Sequence, residues 1–347
     1  MTQQLPAAAD PTAITQALHG AGVPSSVHVV DVTVGSDRPT LVSRIMRLRL
    51  RYNNAAPDAP ASLILKTSQL ERIPGGRKEV EFYRKVAVAM APGLVPRCYA
   101  AEWDDASEDW HLLLEDLTET HAVATGLPLP PAEAQCARIV ETLARFHAAW
   151  WNDARLGNTI GTRHDSGYIA RVHAELRDRF ARFADRLGDT LSGQRRVLYE
   201  QFLDAWLRLL QRYRQGNRTL QHGDAHCWNV FLPRDGGADL RLFDFDGWRI
   251  GFAVSDLAYM MALHWYPDRR QRLERALLDR YHDTLLRHGV RDYDRQALSD
   301  DYRWAVLMQL VTPVWQATSG LPPLIWWHHL ERIMLAVDDL GCRDLLA

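Results

Sequence analysis

Along the first third of the chain, apolar positions recur with the period of extended strands. Residues 27–34, 43–52 (SRIMRLRLRY) and 62–67 (SLILKT) alternate or run apolar at strand length. NNAAPDAPA, residues 53–61, is a turn-rich connector between two of them. A short helical opening is expected over residues 11–19, and ERIPGGRKEVEFYRKVAVAM switches to the helical period. Residues 96–102 and 111–115 read as two further strands. The pattern predicts a small antiparallel sheet with one helix.

The pattern changes after residue 130. PPAEAQCARIVETLARFHAAWW places Cys136, Ile139, Val140, Leu143, Phe146 and Trp150 on one helical face, and its proline pair suits a helix start. Helical patterns follow over residues 166–186, 194–214, 256–265, 268–288, 293–317 and 323–339. One segment interrupts them, LQHGDAHCWNVFLPRDGGADLRLFDFD, with strand-like runs at residues 219–221, 230–232 and 240–243. The expected fold class is α+β. A β-rich lobe (residues 1–115) precedes a large helical lobe (residues 116–347) that carries one β-hairpin insert, with a connector near residues 115–130.

Composition narrows the classes without choosing one. A chain of 347 residues with 47% hydrophobic and 24% charged residues can bury a sizeable core. A formal net charge of −2 leaves no electrostatic footprint for nucleic acid. No apolar run approaches the roughly 20 residues of a membrane helix. The N-terminus lacks the basic and apolar segments of a secretory leader. Four cysteines (Cys98, Cys136, Cys227, Cys342) are scattered without CxxC spacing, which fits a reducing cytoplasm and disfavours thiolate zinc sites. Of 41 basic residues only Lys66, Lys78 and Lys85 are lysines, so each invites a reason.

The interrupting segment is where chemistry concentrates. Phosphoryl transfer needs a cation on the donor phosphates, oxygen ligands for Mg2+, and a carboxylate to orient or deprotonate the attacking hydroxyl. Mg2+ prefers one or two protein oxygens plus phosphate and water. Asp224 and Asn229 lie five residues apart, the spacing of base and metal ligand in a kinase catalytic loop. Asp244 follows Asp224 by twenty residues at the end of a strand, where a hairpin can return it as a second metal ligand. Lys66 ends the strand SLILK, the place of a phosphate-binding lysine. Its partner should be a glutamate on the next helix. Glu79 shares a face with Phe82, Tyr83 and Val86, whereas Glu81 lies about 200° around the helix and should be solvated.

HGDAHCWN followed by FDFD is similar to the HGDxxxxN and DxD/E/G motifs of the aminoglycoside phosphotransferase and choline kinase superfamily. KEVEFYRKV and HLLLEDL resemble the helix and hinge of its ecdysteroid-kinase-like branch; LARFHAAWW and SDLAYMM resemble the helices beside the catalytic loop and the metal strand. The similarity runs over roughly residues 30–265. It implies a two-lobed protein-kinase-like fold with ATP or GTP as phosphate donor, bound with Mg2+ in an interlobe cleft. By the same resemblance Asp224 is the catalytic base, Asn229 and Asp244 are metal ligands, and Lys66 with Glu79 anchors the phosphates. The backbone from Glu115 to Leu117 meets the purine, His222 buttresses the loop, and Asp256 holds it through backbone hydrogen bonds.

Two features depart from the pattern. There is no GxGxxG, and Gly35 in TVGSDRPT is the one candidate for a phosphate-covering loop. The third residue of the metal motif is Asp246 instead of glycine. Two other readings of the segment stay open: a metal-dependent hydrolase built on His222, Asp224 and His226, and a nucleotide-binding scaffold without catalysis. His147 reads as a satisfied core histidine, and Cys227 and Trp228 as packing residues. Asp256 follows Asp246 by only ten positions, no APE follows, and Gly223 replaces the arginine of HRD, which disfavours a protein substrate. The expected acceptor is a small hydroxylated molecule, uncharged or amphipathic, of the natural-product or antibiotic kind. The helices after residue 265 mix arginine with acidic residues and show no carboxylate surplus for a polycation.

Overall fold

The computed structural model describes residues 5–40, 43–68 and 76–347. Among them lie ten strands: β1 (Val29–Pro39), β2 (Ser43–Tyr52), β3 (Ser62–Ser68), β4 (Cys98–Trp103), β5 (Trp110–Glu115), β6 (His121–Val123), β7 (Thr219–Gln221), β8 (Val230–Pro233), β9 (Arg241–Leu242) and β10 (Arg249–Gly251). The chain forms two compact units. Residues 1–123 pack with 230–248, and residues 124–229 pack with 249–347. Packing therefore groups the β8–β9 hairpin with the N-terminal residues, although chain order sets it among the helices.

The first unit is built on an antiparallel sheet of order β1-β2-β3-β5-β4. Alternation sends successive side chains to opposite faces. Leu63, Leu65, Met46, Leu48, Val29, Val32 and Leu113 are buried on one face, against Ile14 and Leu18 of helix α1 (Pro11–Gly20). Asp10 caps that helix, accepting from the Thr12 N–H at 2.8 Å, and Pro11 stands at its first position. Lys66 then falls on the opposite face, paired across the ladder with Ile45 and Leu112. Helix α2 (Gly76–Glu81) continues as a π-helical turn, Phe82–Val86. The beginning of the helix expected there, residues 71–75, lies outside the described residues.

Three expectations are corrected here. Gly35 does not sit in a loop: it lies inside β1, at a bulge between the pairs Val34–Leu48 and Ser36–Arg47, because the ladder continues to Pro39–Arg44. The hairpin β8–β9 is joined on its other side by β6, through the pairs His121–Pro233 and Val123–Phe231. The helical run over residues 293–317 is two helices, Arg295–Met308 and Val311–Thr318. Pro313 has no N–H to donate into a preceding turn, but is tolerated in the first turn of a new helix.

The second unit contains α3 (Glu133–Ala149), α4 (Ser166–Leu187), α5 (Gly193–Gln215), α6 (Val254–Ala258), α7 (Pro267–Arg287), α8 (Arg295–Met308), α9 (Val311–Thr318) and α10 (Pro323–Asp339). Helix α3 packs on α7, burying Ile139, Val140, Leu143 and Phe146. The two-stranded pair β7–β10 sets Gln221 opposite Arg249 and fixes the exit of the interrupting segment. Among the described residues no helix is long and apolar enough to cross a membrane.

One close approach governs the placement of α2. A Cβ built on Gly76 would lie 1.9 Å from the Trp110 ring, so only glycine lets the helix start against that indole. Gly76→Ala should destabilise the protein by about 1–3 kcal/mol, the usual cost of overpacking. Gly126→Ala, where a Cβ meets nothing within 4 Å, should leave stability unchanged. Thermal unfolding of the two variants checks this, and equal midpoints would contradict it.

Candidate active site

In the first unit, the apolar pattern of β3 delivers Lys66 to the face where α2 brings Glu79. Lys66 Nζ donates to Glu79 Oε2 at 2.6 Å and to Asp244 Oδ1 at 2.6 Å. Glu79 is sealed at 2% exposure, while the Asp244 side chain is 39% exposed. Burial opposes the Lys66 ammonium, but the two carboxylates outweigh it and raise its pKa, so the lysine stays charged. Burial pushes Glu79 up despite Lys66, and the Asp244 charge adds to the rise. Glu81 faces elsewhere and pairs with Lys85 at 2.6 Å.

Asp244 occupies a left-handed backbone conformation (φ 69°, ψ 62°), which non-glycine residues adopt only where surroundings enforce it. Those surroundings are visible. Phe245 stacks on Phe82 with ring centroids 3.7 Å apart, and Trp248 Nε1 donates to the Lys78 carbonyl at 2.7 Å. The metal-motif strand is thus tied to the helix that carries Glu79. Asp246 lies in the short 3-10 turn Phe245–Gly247. At the end of β5, the Glu115 N–H donates to the Arg97 carbonyl at 2.8 Å. The Leu117 carbonyl accepts from His121 at 2.8 Å and from Thr120 at 3.2 Å, while the Leu117 N–H has no acceptor among the described residues.

In the second unit the loop after β7 hangs on Asp256 of α6. Its carboxylate, 1% exposed, accepts from the His222 N–H at 2.6 Å and the Gly223 N–H at 3.0 Å. It also accepts from His147 Nε2 at 3.0 Å, and His147 Nδ1 meets the Tyr281 hydroxyl at 2.7 Å. Burial would raise the pKa of Asp256, but the His147 bond, the nearby imidazoles and the Gly223 N–H bring it below the ordinary carboxylate value. Gly223 itself has φ 86°, a conformation that favours glycine.

This frame presents Asp224. The Tyr259 hydroxyl donates to Asp224 Oδ1 at 2.7 Å. Asn229 Nδ2 donates to the Asp224 carbonyl at 2.9 Å and to Oδ2 at 3.0 Å, leaving the Asn229 amide oxygen as that side chain's lone-pair donor. His226 Nε2 lies 3.5 Å from Oδ2. Burial would raise the Asp224 pKa, but His226, the Tyr259 bond, His222 and His264 hold it below the usual value. The rings of His226, His264 and His329 form a row, with centroid spacings of 5.5 and 4.6 Å. Burial first, and neighbouring imidazoles second, take His264 down to about 4 and His329 to about 2, so both are neutral at pH 7.

Tyr259 is the residue that sequence reasoning missed. Its signal was available: it stands three residues after Asp256, on the same helical face. His222 is buried, and its Nδ1 accepts the Asp224 N–H at 3.3 Å. Among the described residues no three His, Cys, Asp or Glu side chains are grouped to hold a metal ion. Mg2+ does not require such a group, because phosphate and water complete its shell.

The model of the ecdysteroid kinase-like family matches residues 40–291. The chain belongs to that family. Its structural neighbours agree on the fold. A Ralstonia eutropha protein provisionally described as an aminoglycoside phosphotransferase aligns over 96% of this chain and 97% of its own, with TM-score 0.57 and 14% identity. A microcompartment-associated aminopropanol kinase aligns over 97% and 99%, with TM-score 0.56 and 13% identity. Plasmodium vivax ethanolamine kinase aligns over 96% and 89%, with TM-score 0.55 and 11% identity. A search of curated proteins gave no match. This family member has a protein-kinase-like fold.

The Asp256 clamp makes a pH-dependent prediction. Because its folded pKa is depressed, its contribution is present above the unfolded value near 3.8 and is lost as pH falls through the lower folded value. Asp256→Asn should cost about 3–5 kcal/mol at pH 7, as for breaking a buried pair. The gap from the parent should shrink below about pH 4. Urea unfolding from pH 3 to 7 reads both, and a gap independent of pH would contradict the assignment.

Proposed function

We propose that this protein is a small-molecule O-phosphotransferase, moving the γ-phosphate of ATP or GTP to a hydroxyl in a Mg2+-dependent reaction. The observation that carries the reading is Lys66, charged and held at 2.6 Å by both a sealed glutamate and a half-exposed aspartate. A lysine fixed this way is preorganised to receive donor phosphates without reorganising.

In this reading Lys66 neutralises phosphate charge, and Glu79 keeps the ammonium in place. The Leu117 N–H, without an acceptor among the described residues and close in sequence to Glu115, offers a donor to a purine ring. The Asn229 amide oxygen and the Asp244 carboxylate are each suited as an oxygen ligand to Mg2+, being hard donors in a segment with few other claims on them. Mg2+, when bound, offsets phosphate charge and orients the transferring group. Asp224 aligns the acceptor hydroxyl and takes its proton as the new oxygen–phosphorus bond forms and the bond to the nucleoside diphosphate breaks.

The imidazole row beside Asp224 supports an acceptor without positive charge. His264 donates through Nδ1 to the Tyr259 carbonyl at 2.8 Å, so the neutral ring keeps a lone pair at Nε2 for a hydroxyl. Arg332 donates to the His264 carbonyl at 2.9 Å and adds a cation to the neighbourhood. An alkylammonium group, such as the names aminopropanol and ethanolamine kinase imply for the neighbours, is less suited to a row of neutral imidazoles beside an arginine. A neutral or amphipathic alcohol, of the natural-product or antibiotic kind, suits this wall better.

A library of hydroxyl compounds screened for ADP or GDP release with Mg2+ tests the reading. Neutral alcohols should be phosphorylated in preference to amino alcohols. On an identified acceptor, Asp224→Asn should lower kcat by roughly 100- to 10,000-fold with nucleotide affinity nearly intact. Asp244→Asn should weaken nucleotide binding as well as turnover. Near-native turnover by Asp224→Asn would overturn the assignment of the base.

A further inference from the structure

We infer that Tyr259 is a positioning residue for phosphoryl transfer, setting the rotamer of Asp224 so that one carboxylate oxygen faces the acceptor hydroxyl. The inference rests on the proposed role of Asp224 and extends it to a residue outside the motif. A carboxylate that must align a hydroxyl gains from having its own rotation stopped, because misplacement by about 1 Å can cost about 100-fold in rate.

Both Asp224 oxygens are engaged. Oδ1 accepts from the Tyr259 hydroxyl at 2.7 Å, and Oδ2 accepts from Asn229 Nδ2 at 3.0 Å. These two donors approach from different elements, so the plane of the carboxylate is defined as well as its position. Each carboxylate oxygen has a second lone pair, which leaves acceptor capacity for the hydroxyl that is to be deprotonated.

Tyr259 is itself held. It opens a π-helical turn, Tyr259–Leu263, that follows directly on α6. Single π turns inside α-helices are rare and concentrate at functional sites, because they re-aim one side chain without ending the helix. Here His264 Nδ1 donates to the Tyr259 carbonyl at 2.8 Å and the two rings pack 4.8 Å apart. The Arg332 guanidinium in turn bonds the His264 carbonyl at 2.9 Å. The same short stretch carries Asp256, which grips the His222 and Gly223 N–H groups. One stretch therefore fixes three consecutive residues of the loop: two by backbone, and the third, Asp224, by side chain. A phenol that served packing alone would need neither this bond nor the turn that aims it.

The test compares Tyr259→Phe, Asp224→Asn and the double variant on an acceptor found by the screen above. Tyr259→Phe should lower kcat roughly 10- to 100-fold while acceptor KM and nucleotide affinity stay within about 3-fold. The double variant should be no slower than Asp224→Asn alone, since a positioning residue has nothing left to position. Near-parent kcat, a rise confined to KM, or independent losses that multiply would overturn the inference. The bond is also read apart from turnover, by 19F resonance of protein carrying 3-fluorotyrosine at its eleven tyrosines. Tyr259→Phe assigns the signal, and Asp224→Asn should move that signal and leave the rest. An unmoved signal overturns the inference whatever the activity. A parent protein that transfers phosphate to nothing in the library, with the signal moving as expected, would instead count against the proposed function alone.

Discussion

Much of the second unit's chemistry depends on a single buried carboxylate. Asp256, with 1% of its side chain exposed, accepts two backbone N–H groups of the loop and one imidazole N–H. A carboxylate buried without partners would be costly; with three donors it becomes a rigid fastening. His147, which supplies the third donor, is itself anchored by Tyr281 on α7. The helix pair α3–α7 thus reaches the loop through a chain of hydrogen bonds, and the packing of Ile139, Leu143 and Phe146 contributes indirectly to where Asp224 stands.

The two units solve a similar problem by similar means. In each, a short α-helix bearing an acid gives way to a π turn bearing an aromatic residue. Glu79 on α2 is followed by Phe82 at the start of the turn Phe82–Val86, and Phe82 stacks on Phe245 beside Asp244. Asp256 on α6 is followed by Tyr259 at the start of the turn Tyr259–Leu263, and Tyr259 bonds Asp224. In each, acid and aromatic stand three residues apart, the spacing that sets them on one helical face. The stack of Phe82 on Phe245 and the Trp248 bond hold Asp244 in a left-handed backbone where it would not settle alone.

What the sequence carried openly was periodicity. Strand alternation located β2 and β3, although β3 runs on to Ser68 and leaves Lys66 inside the ladder, short of the strand end expected for it; the helical period separated Glu79 from Glu81, and the geometry pairs the former with Lys66. The five-residue spacing of Asp224 and Asn229 corresponds to a direct bond between them. What it concealed was set by tertiary partners. Strands β6 and β10 are three residues long, too short for any period to register, and exist because β8 and β7 pair with them. Gly35 looked like a loop glycine because bulges and turns share a preference for it, and only the ladder register distinguishes them. A π turn leaves no pattern of its own, so the aim of Tyr259 was not legible even though its position beside Asp256 was.

The central proposal is that a divalent ion arrives with a nucleotide, with Asp244 of the first unit and Asn229 of the second each put forward as an oxygen ligand. Electron paramagnetic resonance of Mn2+, titrated with and without ATP or GTP, measures this residue by residue. The account predicts weak Mn2+ binding by the protein alone, tighter binding with nucleotide, and loss of that gain in Asp244→Ala and in Asn229→Ala but not in His226→Gln. Tight Mn2+ binding without nucleotide that disappears in His226→Gln would contradict the account and return the segment to a hydrolytic metal site.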